Sequence, residues 1–122
     1  MWPKIIQVNA KDVYAIGGNN LKCETQDNWN FIVQKTNIQI DVRSNKVTRR
    51  ADMIKPRQAQ GICAINNHIY CVCGISSDEA YNHIERYDIL TDKWELLEEK
   101  YPKYAFAISC IPIKRRFIYT FG

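Results

Sequence analysis

The apolar positions of the chain come in short alternating runs of strand length, and three of them end in glycine. Val13 to Gly18 reads VYAIGG, Ile69 to Gly74 reads IYCVCG, and Phe117 to Gly122 reads FIYTFG. Alternation around an aromatic residue over four to eight positions predicts β-strands. Turn signals separate the runs, Asn66-Asn67 and Thr91-Asp92 among them, since short polar side chains favour tight reversals. The pattern places strands near Ile5–Val8, Val13–Gly18, Asn37–Val42 and Lys46–Ala51, then Ala59–Ile65, Ile69–Gly74, His83–Ile89 and Trp94–Glu98, and last Tyr104–Ile111 and Phe117–Phe121. In the run from His83, Ile84, Arg86 and Asp88 alternate with Glu85, Tyr87 and Ile89, so that strand faces two environments.

These strands repeat. Gly18, Gly74 and Gly122 stand 56 and 48 residues apart. A second landmark, Ile40-Asp41 with Lys46-Val47, returns as Tyr87-Asp88 with Lys93-Trp94, 47 residues on. A third is a proline with a basic neighbour ahead of an apolar strand: Pro56-Arg57, Pro102-Lys103 and, less clearly, Pro3-Lys4. Self-similarity at about 50 residues marks units that cannot bury their apolar faces alone and complete a core by stacking.

The middle unit carries the order Pro-Arg, glycine-ended strand, Tyr-Asp, short turn and Trp, and it resembles the kelch repeat. Resemblance implies an all-β fold, an incomplete kelch-type β-propeller built of four-stranded antiparallel blades. Blade one would cover about 3–55, blade two about 56–100 and half of blade three about 101–122. The repeat motif falls on Gly17, Gly18, Gly74, Tyr87, Trp94 and Gly122. Gly18, Gly74 and Gly122 are expected where another backbone or a large side chain comes close. Tyr87 and Trp94 are expected to fill the space between blades, their polar tips reaching backbone groups. Only the first unit has a full Gly17-Gly18 pair, and it has Ile40 and Val47 in place of Tyr87 and Trp94; it is a degenerate repeat. A closed propeller has roughly 4 to 8 blades. The chain is therefore expected to be a fragment of a longer protein, to complete a ring with neighbouring chains that cover its open blade edges, or to form an open array protected by partners.

Composition narrows the function classes. Hydrophobic residues make up 46% and charged residues 25%, values of a folded protein and not of a disordered one. No stretch approaches the roughly 20 apolar residues of a membrane span. Five cysteines, an odd number, occur without an export signal or an Asn-x-Ser/Thr sequon, which points to free thiols in a reducing, cytoplasmic setting. The net charge of +4 is too mild for a nucleic-acid footprint. Basic clusters at Arg49-Arg50 and Lys114-Arg115-Arg116 read as solvated hairpin charge. Cys71 and Cys73 share a strand face, with Cys63 on the neighbouring strand, but His68 and His83 stand at no zinc-ligand spacing. Core thiols, with no metal and no cofactor, are expected.

Function in repeat proteins lives on the loops of one face. Here these are Asn19–Thr36, Ile75–Asn82 and the turns near Lys55–Arg57 and Lys100–Lys103. The first is the longest and holds Asn28, Trp29 and Phe31, an aromatic pair among amides that can anchor a partner protein or fold back on the blade, unless Phe31-Ile32-Val33 extends a strand. Arg57 can pair with an acidic partner group or bond to the next blade. Tyr81, Asn82, His83 and Lys103 complete the candidate contacts. No Ser/His/Asp pattern or phosphate-cradling loop is present, so binding of other proteins is expected and catalysis is not. The resemblance implies a cytoskeletal or ciliary scaffold, a substrate-receptor segment of a ubiquitin ligase, or, on the enzyme side, a piece of a copper oxidase of the galactose-oxidase type.

Overall fold

The computed structural model describes residues 3–25, 28–76, 79–105, 109–113 and 117–121. Among them every regular element is a β-strand. The first unit holds β1 (Lys4–Gln7), β2 (Asp12–Ile16), β3 (Asn19–Thr25), β4 (Asn28–Val33), β5 (Asn37–Asp41) and β6 (Lys46–Arg49). The second holds β7 (Gly61–Ile65), β8 (His68–Val72), β9 (Ile75–Ser76), β10 (Glu79–Asp88) and β11 (Lys93–Ala105). β12 (Ser109–Ile113) and β13 (Phe117–Phe121) follow.

Blade one is a four-stranded antiparallel meander in the order β1-β2-β5-β6, and blade two repeats it as β7-β8-β10-β11. The turn chemistry sets the registers. Asn66 and Asn67 both take left-handed backbone, at φ 48° and 63°, and close a two-residue turn that pairs Ile65 with His68; that conformation matches the twist of the flanking strands. Asn45 and Asp92 hold the same left-handed φ in the outer hairpins of the two blades. Asp41 and Asp88 cap those outer turns by accepting from the backbone N–H groups two and three residues on.

The core lies between the blades. Tyr14 and Ile16 of β2, Met53 of the connecting segment, and Ile69, Cys71 and Tyr87 of blade two form one buried cluster. Tyr14 and Tyr87 meet edge to face, with ring centroids 5.8 Å apart and planes at 61°, the arrangement their quadrupoles favour. Full burial of a large apolar side chain is worth about 1.5–3 kcal/mol. Stacking, and not either sheet alone, therefore holds the unit together. Within β10, Glu85 and Tyr87 turn inward and Ile84 and Arg86 turn to the opposite face, as the alternation requires.

Three differences from the sequence reading stand out. Asn19–Thr36 is not an open loop: β3 and β4 pair as a separate two-stranded sheet off the blade. Ile75–Asn82 likewise closes on itself, with β9 pairing the start of β10. In both, the segments leaving the glycines already run antiparallel, and pairing satisfies backbone groups that a loop would leave open. The turn expected at Lys100–Lys103 is instead part of β11, which runs on to Ala105 through a bulged stretch opposite Tyr81 and His83.

Candidate functional site

The segment joining the blades, Arg50 to Gln60, has almost no regular structure, and the second blade holds it by its backbone. Asp92 and Trp94 grip the backbone of one residue, Ala51, through its N–H and its carbonyl. The Ala51 N–H donates to Asp92 Oδ1 at 2.9 Å, and Trp94 Nε1 donates to the Ala51 carbonyl at 2.8 Å. Tyr87 Oη donates to the same Asp92 oxygen at 2.6 Å. Tyr87 therefore reaches a carboxylate and not the expected backbone group, and only Trp94 reaches the backbone directly. Burial, then the Asp92 bond, pushes the Tyr87 phenol well above its ordinary range, while the Tyr87 and Ala51 bonds hold the Asp92 carboxyl below its own.

Further along the same segment, a buried ion pair takes over. Arg57 and Glu85 have no exposed surface. Glu85 accepts from the Ile54 N–H at 2.6 Å, the Lys55 N–H at 3.2 Å and Arg57 Nε at 2.8 Å, and Arg57 Nη2 lies 2.8 Å from the same carboxylate. Arg57 Nη1 donates to the carbonyls of Cys73, at 2.6 Å, and His83, at 3.1 Å. Of the two expectations for Arg57, the acidic partner group is corrected and the structural hydrogen-bonding role is the one found. Its acid is Glu85 of the same chain, because a guanidinium enclosed by protein must find its counter-charge there. Tyr81 is also buried, its ring 5.3 Å from Arg57 Cζ and 5.8 Å from Lys55 Nζ; it packs against cations and is not a surface contact.

The glycines explain how close the segment comes. A Cβ on Gly17 would stand 2.5 Å from the Arg57 carbonyl oxygen, and one on Gly74 would stand 2.9 Å from that of Gln58. Gly18 donates its N–H to the Arg57 carbonyl at 2.8 Å. Backbone does approach here: Gly17 is where a Cβ would collide, and Gly18 bonds the same carbonyl through its N–H. Cys73 holds Gly17's place in blade two and takes φ 58°, a left-handed conformation that costs a non-glycine residue about 1–2 kcal/mol. Gly122 lies outside the described residues.

At this end of the blades, His83 is half-buried, and Lys100 is its cross-strand partner. Its Nδ1 is buried without a hydrogen-bond partner among the described residues. Burial first, then Lys55, Arg57 and Lys100, pulls the imidazole pKa down. Asn82 is half-buried beside it. Lys103 is exposed on β11 and does not take Arg57's buried place. Ala105, two residues further, receives the Gly74 N–H as Arg57 receives that of Gly18. Asn28, Trp29 and Phe31 lie on β4, with Trp29 opposite Cys23 and Phe31 opposite Leu21; their side chains lie outside the described part. The structure therefore draws Arg57, Tyr81 and His83 together, adds Lys55 and Lys100, and carries the residue 28–31 segment on a separate hairpin. Glu85 and Asp92 were missed as site residues by sequence reasoning, and Lys55 entered it only as the start of a turn. The Pro-Arg motif named one end of the ion pair, but nothing local marked Glu85 as the other.

Cys63, Cys71, Cys73 and Cys110 are free thiols, the first three buried. Burial pushes Cys63 up to about 12 and Cys73 and Cys110 up to about 11. Among the described residues, no group of three or more His, Cys, Asp or Glu side chains could hold a metal ion, and no helix is long and apolar enough to cross a membrane.

Stacked four-stranded antiparallel meanders, joined outer strand to inner strand, define a segment of a β-propeller. The Kelch motif matches residues 56–100, the second unit of the chain. Over 96 residues, 79% of the chain, it is 32% identical to Kelch-like protein 15 of Gallus gallus and 33% identical to that of Mus musculus. It spans 19% and 15% of the length of those relatives. A solved structure titled "Structure of YjhT" superposes on 93% of the chain with a TM-score of 0.70 at 16% identity, the chain covering 32% of it. That likeness shows the fold.

Proposed function

We propose that this propeller segment binds protein and does no catalysis, and that the partner is met at the end of the blades where the second-to-third-strand connections emerge. One observation carries the reading. The first of these connections is longer than its counterpart and folds into the β3–β4 hairpin, which pairs with itself and stands apart from the blade sheet. A hairpin that adds nothing to the blade ladder yet brings Trp29 and Phe31 to it is a candidate contact element, since aromatic residues dominate interface energetics. His83, Lys55 and Lys100 border the same end. The setting we infer is cytoplasmic, in a cytoskeletal or ciliary assembly. Support for a reducing compartment comes from Cys63, Cys71, Cys73 and Cys110, all unbridged.

The test is affinity capture from cells with the chain as it stands and with Trp29→Ala plus Phe31→Ala. The reading expects defined protein partners that the double variant loses while its circular dichroism is unchanged. An unchanged partner set would refute the hairpin as the contact. Cytoskeletal or axonemal proteins support the scaffold role; adaptor and cullin-type subunits would move the chain to the ubiquitin-ligase alternative.

A further inference from the structure

One position in the junction between the two complete blades is polar where its counterpart is apolar. Ile16 and Val72 each stand two residues before a repeat glycine, Gly18 and Gly74. Their partners on the third strand of each blade are Asn37 in blade one and Ile84 in blade two. Residues directly opposite in an antiparallel pair share a face. Asn37 is therefore on the face of Ile16, the one that meets Met53, Ile69 and Tyr87. Asn37 has no exposed surface, and neither its Oδ1 nor its Nδ2 has a hydrogen-bond partner among the described residues.

A second buried amide adjoins it. Gln60, also without exposed surface, donates from Nε2 to the Ile16 carbonyl at 3.1 Å. A carbonyl only accepts, which fixes the orientation of the amide and leaves Gln60 Oε1 without a partner among the described residues. Met53 connects the two places. Its N–H donates to the Lys35 carbonyl at 2.7 Å, two residues before Asn37, and its Cε and Gln60 Nε2 both crowd Gly17, at 3.2 Å and 2.9 Å from where a Cβ would stand.

The pair thus presents one donor and two acceptors to the space between the blades. Buried polar atoms left unpaired forfeit the whole of their hydration, and in blade two an isoleucine avoids that loss. A cation would be repelled by the Nδ2 hydrogens and an anion by the two oxygens, whereas water both donates and accepts and brings no net charge. We propose that Asn37 and Gln60 form an internal hydration site, with ordered water accepting from Asn37 Nδ2 and donating to Gln60 Oε1. Because both side chains are fully enclosed, this water exchanges only when the blades part, and its residence time reports how often the junction opens. The site does not depend on the partner surface proposed above.

The test is water-selective NOE and ROE spectroscopy on the isotope-labelled full chain. The side-chain NH2 protons of Asn37 and Gln60 should show cross-peaks to water with the sign of a long-lived contact. Deuteron magnetic relaxation dispersion counts such waters. Asn37→Ile, the residue type blade two carries at the corresponding place, should remove at least one of them while circular dichroism is unchanged. Val47→Ile, at an exposed position of blade one, should remove none. Absence of the water cross-peaks would overturn the proposal. So would an Asn37–Gln60 amide cross-peak in their place, because the two side chains would then bond each other. A dispersion amplitude that Asn37→Ile leaves intact would overturn it as well. If Asn37→Ile unfolds the chain, the spectra of the unaltered chain decide alone.

Discussion

Removing the Glu85 carboxylate should be the most damaging single change in the junction between the blades. Glu85→Ala leaves the Arg57 guanidinium without its acid in a site with no exposed surface, and strips an acceptor from the N–H groups of Ile54 and Lys55. Breaking a buried pair from one side costs about 3–5 kcal/mol. The two N–H groups are only partly buried, and water recovers part of their loss, so about 4 kcal/mol in all is expected. A chain of 122 residues has about 6–18 kcal/mol of stability in total. With a urea dependence of about 1–3 kcal/mol per molar, the midpoint should fall by about 1–4 M. Arg57→Met should cost less, because Glu85 keeps its two backbone donors. The double variant should be no worse than Glu85→Ala alone, since no charge is then left unpaired. Urea unfolding followed by tryptophan fluorescence and circular dichroism measures all three. A loss below about 1 kcal/mol for Glu85→Ala, or single losses that add within about 0.5 kcal/mol in the double variant, would refute the reasoning.

Other consequences follow from the same junction. Gly17→Ala should lower the melting temperature more than Gly74→Ala, because its Cβ would stand 2.5 Å rather than 2.9 Å from a backbone carbonyl; the reverse order in thermal melts would contradict the geometry. The folded-state pKa of Asp92 lies below its unfolded value. The stability it contributes is therefore fully present above the ordinary carboxylate range and is lost as pH falls through the lower folded value. Asp92→Asn should flatten the acid limb of the stability curve, and an unchanged limb counts against the Ala51 grip. Thiol labelling at pH 8 should leave Cys63, Cys71 and Cys73 unmodified in the native chain and reach all three in urea, since burial holds them as thiols. Mass-spectrometric mapping reads this, and rapid native labelling would mean that the inter-blade core is open.

Much of this architecture was legible before any coordinates. Alternating runs and asparagine-rich turns placed the main strands of both blades within a few residues, because strand period and turn conformation are local properties. Tyr87 and Trp94 were expected between blades and are found there. The reading failed where the outcome depends on distant residues. Arg57 and Glu85 lie 28 positions apart, and a glutamate in an alternating strand reads as solvated until the arginine that neutralises it is placed. Tyr81, expected as a surface contact, is buried because Arg57 and Lys55 approach its ring.

The sequence alone determined that the chain is a stack of antiparallel kelch-type units, the period at which they recur and the residues at which each hairpin turns. The tertiary structure decided that Gly17 is crowded by the Arg57 carbonyl, that the Pro-Arg arginine is internal, and that the connection after Gly18 stands off as its own hairpin. The division has one physical cause: periodicity and turn chemistry act between neighbours along the chain, whereas burial, ion pairing and the covering of a face are fixed only when one blade lies against the next.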